Sequence, residues 1–157
     1  MTMLDRLFTD HPHSRAPGDL FGRFVGRWEI ANRLYTPESG QWHESSAEWE
    51  FARILDGRGI QDILIGNGDV WGTTVRTWDE RAGWRIVWFC PRAAEHCVLR
   101  VTDTTTSTIR LEGRQADGRA IRWEFSEVGD RSFTWDGWCS EDDGSTWWHE
   151  QHMDASR

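Results

Sequence analysis

From Arg27 onward, apolar and polar residues alternate with period two and clusters of turn residues interrupt them at short intervals, the signature of half-buried strands joined by tight turns. Trp28, Ile30 and Leu34 share one face of the first strand until Pro37-Glu-Ser-Gly40 turns the chain. The second strand runs to Phe51, with His43, Ser45, Ala47, Trp49 and Phe51 on one face and Trp42, Glu44, Glu48 and Glu50 on the other. Pairing the two across the turn sets Leu34 opposite His43 and Trp28 opposite Trp49, so the apolar faces agree. Further strands are predicted over residues 60–65, 71–78, 84–90, 96–103 and 107–113. Beyond them come a run with Ile121, Trp123 and Phe125 inward, one with Phe133, Trp135, Gly137 and Cys139 inward, and a last one carrying His149 and His152. The prediction is an all-β fold, a closed antiparallel meander β-barrel of about ten strands.

Residues 1–18 show no periodicity and are predicted to form a flexible N-terminal arm, leaving 19–157 as one barrel domain. Asp19 is placed to cap a short N-terminal helix in which Leu20, Phe21 and Phe24 form an apolar stripe ending near Gly26. The stretch SEDDGSTW, Ser140 to Trp147, matches the Asp-box of sialidase propellers, but 157 residues are too few for a multi-bladed propeller. It reads instead as a hairpin turn. Asp142 accepts backbone N–H groups, Gly144 supplies positive φ, and Trp147 covers the turn.

Composition narrows the partners. With 26 acidic against 18 basic residues the net charge is -8, which repels nucleic acid and anionic membrane surfaces. All 18 basic residues are Arg, so Schiff-base and P-loop lysine chemistry is excluded. Cys90, Cys97 and Cys139 form neither a zinc-type spacing nor an even disulfide framework. No segment is apolar enough for a signal peptide or a membrane span, and a cytoplasmic location is expected. The 12 Trp are suited to line either a core or a cavity.

Gly26-Arg27-Trp28 after a short helix, ahead of an antiparallel meander, resembles the GxW opening of the calycin superfamily, the lipocalin-like barrels. The strings GTTVRTWDERAGWRIVW (Gly72 to Trp88) and IRWEFSEVGDRSFTWDGWCSEDDGSTWW (Ile121 to Trp148) resemble an uncharacterised bacterial lipocalin-like group. A second resemblance is to nitrobindin-type haem barrels, and it implies haem held by His149 or His152. The glycine-rich pair that follows the nitrobindin Trp is absent, since Trp28 precedes Glu29, Ile30, Ala31 and Asn32.

A ten-stranded barrel encloses more space than a small barrel's side chains fill, so binding of a small hydrophobic or aromatic molecule is the leading expectation. Trp28, Trp49, Trp88, Trp123, Phe133 and Trp135 would wall the cavity. The inward polar set is Asn32, His43, Ser45, Thr74 and Arg76, with His149 and Gln151 inward if Cys139 pairs with Trp147. An enzymatic alternative, a cofactor-independent cyclase, isomerase or lyase, would use His43, Arg76 and His149: the guanidinium anchors an anionic oxygen and the imidazoles move protons. Against it stands Asp62, which would pair with Arg76 if it also points inward. No cofactor is expected apart from the haem alternative, and no metal site: His149 and His152, three apart on a strand, fall on opposite faces. His11 and His13 in the arm read as an incidental solvated pair. Homodimerisation is left open.

Overall fold

The structure is a computed structural model that describes residues 1–13 and 19–157. Ten antiparallel strands follow one another around a ring: β2 (Gly26–Thr36), β3 (Gln41–Ile54), β4 (Gly59–Gly66), β5 (Asp69–Asp79), β6 (Gly83–Cys90), β7 (Glu95–Thr104), β8 (Ile109–Gln115), β9 (Ala120–Ser126), β10 (Ser132–Ser140) and β11 (Trp148–Ser156). Each pairs with the next, β11 pairs with β2, and the ring is thereby closed with no free edge in the barrel. The predicted register of the first two barrel strands holds, with Trp28 facing Trp49 and Leu34 facing His43, and Arg76 lies opposite Ile86.

The arm is more ordered than its sequence pattern predicts. Met3–Leu7 form a one-turn helix, α1, capped by Thr2 through a capping box, and Phe8–Thr9 add a two-residue strand, β1, to β3. Residues 14–18 of the predicted arm lie outside the described residues. The apolar stripe after Asp19 forms a single 3-10 turn, Gly22–Phe24, and not a capped α-helix. Asp19 does not cap it. Its carboxylate is held by the Arg53 guanidinium in a two-pronged pair, and a charged partner outcompetes a capping bond.

That turn drives Phe21 and Phe24 into the end of the barrel where β2 begins, and both are fully buried. This end is the base. The opposite end, the mouth, carries the turns after β2, β4, β6, β8 and β10.

Candidate functional site

The lower half of the barrel is solid. Phe24 packs on Phe51, Phe125 and Phe133 with ring centroids 5.6, 4.7 and 4.9 Å away, and Trp28 lies edge-on to Phe133 at 4.7 Å. The Trp28 indole N–H donates to the Phe24 carbonyl at 2.7 Å. Trp28 and Phe133, two of the six predicted wall residues, therefore belong to this plug.

Arg76 points inward, as predicted, and is 1 % exposed. Asp62 points inward beside it and accepts from Nη1 at 2.6 Å, while its other oxygen takes the Thr74 backbone N–H at 2.9 Å. The guanidinium also sits over the Phe21, Phe51 and Phe125 rings, 5.2 to 5.9 Å from their centroids. A fully buried charge needs such a partner, and the pairing leaves Arg76 committed to Asp62, with no acceptor for its buried Nε among the described residues.

Midway up, the character changes. Trp49 and Trp135 form a floor, edge-on at 6.3 Å, and Trp123 leans on Trp135 at 5.4 Å. Above them Trp71, Trp88, Trp123 and Trp148 are only half-buried. The rings of Trp71 and Trp88 lie against Gly66 and Gly72, where any Cβ would meet ring atoms at 1.8 and 2.4 Å. Glycine thus lets two indoles press into the wall and not across the lumen. Trp49 is 4 % exposed, yet its N–H has no acceptor among the described residues. On one side Asn32 donates to Ser45 and accepts from Gln151 at 3.1 and 2.7 Å. On the other, the Cys97 thiol donates to Glu95 at 3.4 Å, and burial raises the pKa of both Cys97 and Glu150, with the neighbouring carboxylates adding to the effect.

The proposed proton-moving trio is not assembled. His43 has the expected parity but sits on the protruding β2–β3 hairpin and is exposed. His149 faces outward, contrary to expectation. Cys139 pairs with Trp148 and not with Trp147, and a bulge then leaves Glu150 unpaired between His149, opposite Trp138, and Gln151, opposite Gly137. One extra residue in a strand resets the parity of everything beyond it. Both His149 and His152 therefore lie on the outer wall, which corrects the expectation that they face opposite ways. A porphyrin held inside the barrel would have neither as an axial ligand.

There the two imidazoles meet Asp136, which pattern reading left unremarked: Oδ1 lies 2.8 Å from His149 Nε2 and 2.7 Å from His152 Nδ1. Asp136 was findable from its outward parity between Trp135 and Gly137, given the β10–β11 pairing. The bulge that completes the group was not.

A concavity of about 810 Å³ is an open trough on the outside of β2, β3 and β11, lined by Glu29, Ala31, Ser46, Glu48 and Asp154 among others. It has no aromatic wall, so the lumen above Trp49 suits an apolar guest better.

Ten antiparallel strands closed in sequence order, with an aromatic plug at the base, decide the architecture. The fold is a closed ten-stranded antiparallel meander barrel. The M. tuberculosis protein Rv2717c has a similar structure, with a TM-score of 0.60 and 12% identity over 88% of this chain and 95% of that one. A redesigned β-barrel gives 0.40 and 11% over 94% and 98%. At 12% identity the likeness to Rv2717c is one of fold alone. No family description matches the sequence, and no curated protein matches it significantly.

Proposed function

We propose that the barrel binds a small hydrophobic or aromatic molecule through its mouth, above the Trp49–Trp135 floor. The observation that carries this reading is the Trp49 N–H, buried at the floor without an acceptor among the described residues, beneath half-buried indoles. A buried donor left unpaired costs about 1–3 kcal/mol, and a guest bearing one acceptor atom would recover it. Flat indole walls favour a planar guest, and the Asn32–Gln151–Ser45 chain offers it polar contacts at one rim.

Titration of tryptophan fluorescence with a neutral naphthalene-type probe tests the reading. Binding should be saturable, and Gly66→Ala, whose methyl group meets only the Trp71 ring and displaces it toward the lumen, should weaken it by about 10-fold or more, equivalent to about 1.4 kcal/mol. A native mass spectrum of the purified protein, compared with its denatured mass, would reveal a retained guest. Probe binding that is absent, or indifferent to Gly66→Ala in a folded variant, would mean that the rings fill the lumen themselves.

A further inference from the structure

We propose that Asp136, His149 and His152 form a binding site for a divalent transition-metal ion of the zinc class on the outer wall of the barrel. The donor atoms of the three residues all lie within 4.8 Å of one another. Two imidazoles and one carboxylate are a donor set that zinc and its neighbours take, and three protein ligands leave a position for water or a substrate.

The contacts of His152 suit an ion held between its ring and Asp136. Nδ1 faces Asp136 Oδ1 at 2.7 Å, and Nε2 faces Asp154 Oδ1 at 3.2 Å. A neutral imidazole carries one N–H and satisfies one of these carboxylates, so both are satisfied either by a second ring proton or by a cation in its place. With a cation between Nδ1 and Asp136, the neutral ring satisfies both: Nε2–H donates to Asp154, and Nδ1 offers its lone pair to the metal. A carboxylate behind a ligating histidine is the usual support for such a ligand.

The rings are also held. His149 stacks on Trp138 at 5.3 Å, with Trp42 edge-on at 5.0 Å, while His152 and Asp136 are only 16 and 17 % exposed on the outside of a barrel. Zinc bonds of about 2.0–2.1 Å in a tetrahedron place donors about 3.3 Å apart. The donors facing Asp136 must therefore withdraw by roughly half an ångström, within reach of small side-chain rotations. The bulge at Glu150 sets His149 and His152 on one face, and bulges that re-aim side chains are features of sites. A smaller trough along Arg33, Glu44 and Ser46 reaches the site at Asp154.

The test uses the full chain, stripped with a chelator and titrated with zinc chloride by calorimetry and with cobalt(II) chloride by visible absorption. The expected result is one ion per chain and the absorption of a low-symmetry, four- or five-coordinate cobalt. His149→Ala and His152→Ala should each lower affinity by about 100-fold or more, and Asp154→Asn by about 10–100-fold. Metal-free thermal unfolding establishes that the variants remain folded. If an alanine variant does not fold, the Asp154→Asn loss and the wild-type cobalt spectrum decide. Absence of saturable uptake at micromolar zinc would overturn the proposal. So would uptake that survives in the His149→Ala/His152→Ala double variant but is lost in His11→Ala, which would assign the ion to the N-terminal segment.

Discussion

Arg76 shows how one residue's chemistry depends on what faces it. An inward guanidinium among aromatic rings reads as an anion anchor, yet Asp62 points into the same space and neutralises it at 2.6 Å. The pair is structural, and its energetics follow from burial. Breaking it from one side leaves a buried charge uncompensated, so Asp62→Asn or Arg76→Met should each cost about 3–5 kcal/mol in urea unfolding. The double replacement Asp62→Leu/Arg76→Met should be less damaging than either single change. Equal losses in all three would mean that ring packing, and not charge, dominates the site. Strand parity made the inward direction of Arg76 legible, and Asp62 was legible as a conditional partner. That both meet at the plug, under Phe21 and Phe24, depends on a turn whose position no alternation encodes.

At the scale of elements, the Asp-box turn behaves as its residues require. Asp142 accepts from the Thr146 hydroxyl at 2.6 Å, from the Thr146 N–H at 2.7 Å and from the Ser140 hydroxyl at 2.8 Å. Gly144 has φ +91°, and the Trp147 indole donates to its carbonyl at 3.1 Å. Arg122 rests over the Trp147 ring at 4.3 Å. The Thr146 hydroxyl and N–H, followed by the Ser140 hydroxyl, hold the Asp142 carboxylate at a pKa of about 2, against 3.8 for a free one. A pKa lowered on folding contributes stability above the unfolded value and loses it as pH falls through the folded one. The turn should therefore hold at neutral pH and loosen between about pH 4 and about pH 2. The Thr146 and Gly144 amide resonances should shift over that range, and Asp142→Ala should abolish the titration. This turn was readable because its partners lie within a few residues of one another. The bulge one strand later was not, because it arises where two strands of fixed hydrophobic register meet a hairpin of different length.

For the whole molecule, closure and capping determine where a guest can go. The ring is completed by β3 pairing with β4 and β11 with β2, and the base is sealed by a 3-10 turn with Phe21 and Phe24 fully buried. Phe24→Ala should destabilise the protein by about 3–5 kcal/mol, measured by chemical unfolding. In variants that stay folded, probe binding at the mouth should change little, since the floor lies above the plug. Loss of binding in proportion to loss of stability would mean that the lumen is one packed unit. The sequence by itself determined the barrel strands, the register of the β2–β3 pair and most of the inward face, because alternation and turn chemistry are local and a one-residue slip would expose a whole apolar face. Only the tertiary structure decided that Arg76 is paired, that His43 stands at an exposed rim, and that His149 and His152 join Asp136 outside. Those outcomes depend on a plug, a protruding hairpin and a single unpaired residue, each set by how distant strands fit together and not by any pattern along one of them.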